Sequence, residues 1–512
     1  MTIIFDFETR SDADLKMVGP HRYCEESTTE VLCCVYVDKC SGWAGLQIFD
    51  DRHECRHQLL PVGSYGADAL FYGYDMPIPI ASAFERGIRF EAHNIGFDRT
   101  VWNTMLSKHG WPFLSVDQCQ CSMAQAAACG LPWKLSLLCS WLKLAVQKDA
   151  EGRRVMLKVA KKSSDVTDEE LDTVFSYCVT DGRAQAQLED AMPPFQEYDR
   201  KLLELHLEIN DRGFPIDVSL TENCNRIALG IRDMLGAQLM TLTEGRFGAG
   251  DLNKFQQLRS WCAEQGYTMD SLAKKPVAEA LKDPALPEKV RAFLTIKTQA
   301  GKSSLAKFAV ALLAVNADAR LRGTFKFYGA HTGRWSAGGI QPHNFPRPVF
   351  RGQQADLIRS AAIAGDISML DEVSGWRPLE ALADCIRPVI RAPEGRTFIC
   401  FDFAKIEPCV TFWLADDRTA VETLAAGQDI YKVTSSLIFG KPIEAIDDKE
   451  RGRGKAAVLG LNYGMGAAKF ASEEDLSDSE AQYIVNGYRS AYQSVPQLWQ
   501  ILESAVIRAV QL

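Results

Sequence analysis

Three short segments near the start of the chain place carboxylates where they could hold a cation. The sequence opens Thr2-Ile-Ile-Phe-Asp6-Phe-Glu8, and on a strand Asp6 and Glu8, two apart, share one face. Carboxylates so placed repel each other unless a cation neutralises them; a solvated strand end is the plainer account of this pair taken alone. Next, Glu91-Ala-His-Asn94-Ile-Gly-Phe-Asp98 reads as the start of a helix, with Asn94 as its cap and Asp98 one turn inside. The helix dipole favours an acid there without any further role. Third, Tyr177 and Asp181 are i and i+4 on a helix-like stretch and stand one turn apart on one face. A half-buried tyrosine beside a surface acid has the same spacing.

Further on, Tyr328-Gly-Ala-His-Thr332-Gly333-Arg334-Trp-Ser336, followed by Gln341-Pro-His-Asn344, surrounds a single arginine with small residues and glycines that let backbone approach a ligand closely. A structural turn is the alternative. Arg396-Thr-Phe-Ile-Cys-Phe-Asp402-Phe-Ala-Lys-Ile-Glu407 is a second apolar run ending in acid. Arg451, Lys455, Leu459 and Tyr463 recur every four residues, drifting about 40° per step along one helix face. A basic amphipathic surface helix fits that stripe as well.

These residues need particular elements to position them. The first run predicts a strand, as does Arg396–Asp402, and Leu171–Leu188 predicts a helix. A helix through Leu205–Arg212 should end at Gly213 and pass into an extended turn. Asp251–Gln265 and Pro284–Val315 read as long amphipathic helices, the second carrying Lys297, Lys302 and Lys307. Those lysines form either a solvated face or a grip on phosphates. Tyr492–Leu512 closes the chain as a further helix.

In order, spacing and neighbours, the first three segments resemble the DEDD exonuclease superfamily in its tyrosine variant. The later ones resemble the polymerase motifs of the family A DNA polymerases of bacteriophage type. The resemblance implies an α/β chain: a ribonuclease-H-like 3′→5′ exonuclease domain over 1–197, then a right-hand polymerase with a thumb-like helical region over 198–325, a partial palm over 326–420 and fingers over 421–512. It implies that Asp6, Glu8, Asp98 and Asp181 hold two Mg²⁺, with Mn²⁺ as a substitute, and that Tyr177 orients the attacking water. Two metals about 4 Å apart generate hydroxide and stabilise the leaving oxygen, and hard cations prefer carboxylate oxygens. In the polymerase part it implies that Asp402 holds metal, Glu407 excludes a 2′-hydroxyl, and Arg451 and Lys455 bind triphosphate and stabilise the leaving pyrophosphate. Tyr463 guards the templating base, and Arg334, Gln341 and Asn344 meet primer-template DNA or the palm. The sequence departs from the family pattern at Leu459, usually aromatic, and at Cys409, usually Arg.

Composition agrees with a folded chain of several domains. The 512 residues are 46% hydrophobic and 24% charged with a net charge of −9, which excludes a basic protein overall but not a local phosphate-binding groove. Fifteen cysteines lack C-x-x-C spacing, and His53-x-Cys55-x-His57 has no fourth metal ligand nearby. With no signal peptide and no membrane-length apolar run, the expected setting is the cytoplasm, a host's if the chain is phage-encoded. The last histidine is His343, so the His-Asp-Glu turn that supplies the family's second palm carboxylate is missing. This predicts a C-terminally truncated sequence, or one completed by a second polypeptide, with an unpaired palm strand and an open apolar face. Primer-template DNA and deoxynucleoside triphosphates are the expected partners; a stand-alone exonuclease and a DNA-binding scaffold are the alternatives.

Overall fold

The computed structural model describes residues 2–49, 63–146, 149–252, 254–301 and 303–511. His53, Cys55, His57 and Lys302 lie outside them. The chain divides into two units, Met1–Thr397 and Phe398–Leu512.

The first unit is built on a six-stranded sheet in the order β4-β3-β2-β1-β5-β6. The strands are β1 (Thr2–Arg10), β2 (Glu30–Asp38), β3 (Ala44–Ile48), β4 (Ala69–Tyr72), β5 (Arg89–Ala92) and β6 (Cys119–Cys121). β1, β2 and β3 form an antiparallel meander, and β5 and β6 extend it in parallel with β1. This is the ribonuclease-H-like arrangement expected of an α/β fold. Around it lie α1 (Leu15–Glu25, kinked at Gly19), α2 (Ile78–Glu85), α3 (Ile95–Thr104), α4 (Ser122–Ala128), α5 (Leu135–Trp141), α6 (Ala150–Val159) and α7 (Asp168–Ala186).

β1 is covered on both faces, and its apolar residues Ile3, Ile4, Phe5 and Phe7 are all buried. Ile3, Phe5 and Phe7 join Phe90, Trp102 and Leu207 in one core, with Phe5 edge-on to Trp102 at 5.6 Å. Ile4 joins Val35, Val174, Phe175 and Cys178 on the other face. α7 begins with a capping box between Thr167 and Glu170, a local signal that satisfies its first free N–H groups. Gly182 lets it lie close on the sheet, since a Cβ there would stand 2.5 Å from Val35 Cγ1. Asn94 occupies the cap position of α3 but is left-handed at φ 82° and makes no side-chain cap bond. In that conformation its side chain does not perform the capping expected of it.

The helix Glu197–Arg212 ends, as expected, at Gly213. There φ is +56° and a Cβ would strike the Leu321 carbonyl, so a side chain is excluded on both counts. Phe214–Pro215 then pairs with Arg320–Leu321. Helices Val218–Leu242, Phe255–Glu264 and Glu288–Ala300 enclose a third core around Leu239, Trp261 and Phe293. The single helix expected over Pro284–Val315 is interrupted at Gly301 and resumes at Ala306–Ala314. Lys297 and Lys307 are half-buried, and burial lowers both pKa values. Lys297 Nζ donates to the Leu272 carbonyl at 3.0 Å and Lys307 Nζ to that of Ile340 at 2.6 Å, so neither stands on a solvated basic face.

In the second unit, helices Ile430–Phe439, Asp448–Leu461 and Asp478–Ala491 pack around Phe412, Val458, Phe470 and Tyr488. The strand expected over Arg396–Asp402 is not formed. No neighbouring strand pairs with it among the described residues, and an isolated extended segment gains no ladder bonds. Its apolar side chains are open as expected, with Ile399 85% and Phe401 88% exposed. The last helix is Ser494–Gln511. No helix among the described residues is long and apolar enough to cross a membrane.

The buried Arg99 of α3 is tied to Asp211 of the Glu197–Arg212 helix, and its Nε donates to the Leu114 carbonyl at 2.8 Å. Contacts with His21 and Arg99 outweigh burial and hold the Asp211 carboxyl below its ordinary pKa. A depressed carboxyl contributes stability above its unfolded value and loses it as pH falls through the folded value. Asp211→Asn should therefore destabilise the first unit by about 2 kcal/mol at pH 7, less than for a fully buried pair because Asp211 is 35% exposed. Denaturant unfolding should show that gap closing below about pH 4; a gap independent of pH would contradict the assignment.

Candidate active site

β1 and α7 bring Asp6, Glu8 and Asp181 together, with one ligand oxygen from each lying within 4.8 Å of the others. Glu8 and Asp181 are buried and Asp6 is half-buried. The strand register shifts between Glu8 and Thr9; such a bulge re-aims the side chains beside it. Tyr177 stands one turn before Asp181 and is 5% exposed. Its hydroxyl is pushed far above the ordinary tyrosine pKa, first by burial and then by the charges of Asp181 and Glu8. The phenol is therefore a donor at neutral pH.

Asp98, in the first turn of α3, is bonded to the backbone of β1. Its Oδ1 accepts from the Phe7 N–H at 3.0 Å, and burial together with the Asp6 charge raises its pKa strongly. It is next to Asp6 electrostatically but outside the three-oxygen group. Three oxygen-donor carboxylates, gathered in a buried place where they repel one another, suit a hard divalent cation and suit no soft one.

The residues expected to serve a polymerase are divided between the two units. In the first unit, Phe325–Lys326 and Ser336–Ala337 pair as a short ribbon whose turn carries Arg334, exposed to solvent. Gly329 is required there because a Cβ would collide with Ser336. Gln341 and Asn344, both exposed, bond to each other through Asn344 Nδ2 and Gln341 Oε1 at 3.3 Å.

In the second unit, Asp402 is exposed on the unpaired segment, and Glu407 lies in the first turn of helix Ile406–Leu414, half-buried. The helix Asp448–Leu461 opens with a capping box between Asp447 and Glu450. Lys455 and Leu459 occupy its exposed face, while Val458 and Leu461 are buried. Tyr463, expected on the helix, lies in the turn beyond its last residue and is 65% exposed. Cys409 is half-buried.

Sequence reading missed the partner of Arg451. Its Nε meets Asp429 at 2.7 Å and its guanidinium lies over the Tyr431 ring at 5.7 Å. The available signal was Asp429 before an apolar helical run, where it caps helix Ile430–Phe439. It also missed Gly152, buried in α6 against Tyr177.

Fold and sequence place the second half of the chain in one class. Residues 255–508 match the family model for DNA polymerase family A, and the chain carries a family A DNA polymerase domain. Its relatives include the DNA polymerase of Bacillus phage SP02, 28% identical over all of this chain and 77% of that protein. The DNA polymerase of Mycobacterium phage D29 is 25% identical over 64% of this chain and 48% of that one. In fold the chain is similar to the POL domain of Pol1 from M. smegmatis, solved in complex with DNA primer-template and dNTP. That likeness has a TM-score of 0.58 at 16% identity and covers 98% of this chain and 76% of that one.

Neutralising one of three crowded carboxylates should relieve repulsion. In EDTA, Asp181→Asn should melt a few degrees above the wild type, about 1 kcal/mol. Millimolar Mn²⁺ should raise the melting temperature of the wild type more than that of the variant. Equal shifts would contradict a shared cation site.

Proposed function

We propose that this chain is a DNA-templated DNA polymerase with a 3′→5′ proofreading exonuclease, acting on primer-template DNA with deoxynucleoside triphosphates. The observation that carries the reading is the Asp6–Glu8–Asp181 cluster beside Tyr177, held in one chain with a family A polymerase domain. Family A polymerases use divalent metal ions, and the exonuclease donor set fits Mg²⁺, with Mn²⁺ as a substitute.

Asp6, Glu8 and Asp181 would hold the ions, with Asp98 beside Asp6. The ions would supply a hydroxide at neutral pH and charge stabilisation for the leaving 3′-oxygen. Tyr177, protonated and buried, orients the attacking water by hydrogen bonding. In the polymerase part, Asp402 takes metal, Lys455 binds the triphosphate with Arg451, and Glu407 faces the sugar. Leu459 and Tyr463 border the incoming nucleotide, and Arg334, Gln341 and Asn344 contact the primer-template. The proposed division is exonuclease over 1–197, thumb over 198–325, palm over 326–420 and fingers over 421–512. Cytoplasm is the proposed setting.

One observation favours a second reading, in which only the exonuclease works. Among the described residues Asp402 belongs to no cluster of three ligand side chains. A labelled primer-template with Mg²⁺ separates the two. Shortening without deoxynucleotides and extension with them supports the polymerase-exonuclease; shortening alone supports the second reading; neither activity sinks both. Asp6→Ala with Glu8→Ala should reduce shortening by at least about 10³-fold while DNA binding is retained. Lys455→Ala should slow extension about 10²-fold or more and leave shortening unchanged.

A further inference from the structure

α6 lies against the part of α7 that carries Tyr177. Its buried stripe is Gly152, Val155 and Val159, spaced so that all three share one helix face. Val155 and Val159 enter the core with Val174, Phe175 and Cys178, while Gly152 sits on Tyr177 itself. A Cβ at Gly152 would stand 2.8 Å from Tyr177 Cβ and 2.9 Å from its Cδ2, and would also strike the Asp149 carboxylate. Glycine is the poorest helix former after proline, and Gly152 lies within the helix without a positive φ. It therefore supplies space rather than backbone freedom.

The far end of α6 is stitched to the strand that carries Asp6 and Glu8. The Ser11 N–H donates to the Ala160 carbonyl at 3.0 Å, and the Lys162 N–H donates to the Ser11 carbonyl at 3.3 Å. The chain leaving α6 thus runs parallel to the end of β1, and Lys162 and Arg10 share Glu30. Asp149 fixes the near end by accepting from the Glu151 N–H at 3.0 Å. One short helix is therefore braced against both elements of the carboxylate cluster and closes directly over the tyrosine.

We propose that Gly152 is a positioning residue for the exonuclease reaction: by letting α6 lie flat on Tyr177 it holds the phenol in one rotamer beside Asp181. The proposal rests on the exonuclease reading above and extends it to a residue that touches neither substrate nor metal. An added methyl pushes α6 off the ring or the ring off its rotamer, and displacements of that size at a reacting centre are costly in rate.

The test is steady-state shortening of a labelled single strand with Mg²⁺ by the full chain. Gly152→Ala should lower kcat roughly tenfold or more with KM within about twofold, since strand binding is not the function lost. Tyr177→Phe should lower kcat by itself, and adding Gly152→Ala to it should cost less than about twofold more, because both changes act through one group. Multiplying losses in the double variant, or wild-type kcat in Gly152→Ala, would overturn the proposal. The added methyl could simply unfold the domain, so Asp149→Ala is measured in parallel. It removes the cap of α6 and adds no atom; its kcat should fall with KM near wild type and the melting temperature lower by only a few degrees, and unchanged kcat would overturn the proposal as well. A wild type unable to shorten the strand would instead remove the exonuclease reading, so the two failures are told apart.

Discussion

The first unit depends on one electrostatic constraint: three carboxylates that repel one another are held in a common buried place. Asp6 and Glu8 cannot move apart, because the strand between them is locked by a core on each face. Asp181 cannot retreat, because α7 lies on the sheet at a distance that only Gly182 permits. The folding free energy of two apolar cores thus maintains an arrangement that is locally unfavourable. That is the usual signature of a site built for a ligand of opposite charge. Arg99, bound to Asp211 and the Leu114 carbonyl, ties α3 to the helix Glu197–Arg212, and Asp98 beside it accepts from the Phe7 N–H of the strand.

The second unit follows a different rule. Its core holds the helix Asp448–Leu461 by the Val458 and Leu461 side and leaves Lys455 and Leu459 outward. The N-terminal arginine of that stripe is occupied by Asp429 and Tyr431. In the proposed polymerase reading, a triphosphate reaching Arg451 would compete with a carboxylate in partly solvated surroundings, where such a pair is weak. The pairing orients the guanidinium without committing it. The helix lies within the residues that match the family A model, 255–508.

Much of this was readable from residue types and spacing, and the physical reasons are specific. Period-two placement of Asp6 and Glu8 on an apolar run, and i to i+4 placement of Tyr177 and Asp181, are local patterns that tertiary structure preserved. The stop at Gly213 was legible because a positive φ leaves a residue-type signature. Other features depended on neighbours that no local pattern reveals. Arg396–Asp402 has strand propensity but, among the described residues, no strand to pair with. Pro284–Val315 has helical periodicity but breaks at Gly301. Lys297 and Lys307 look like a basic face until the carbonyls of Leu272 and Ile340 are seen to accept their hydrogen bonds. Gly152 was invisible because close approach of two helices is a property of the fold.

The central claim is that the Asp6–Glu8–Asp181 cluster is a divalent-cation centre, and anomalous diffraction from crystals of the chain soaked in Mn²⁺ tests it most directly. The account predicts manganese peaks about 2.1 Å from carboxylate oxygens of all three residues. An empty cluster in crystals that bind manganese elsewhere would contradict it.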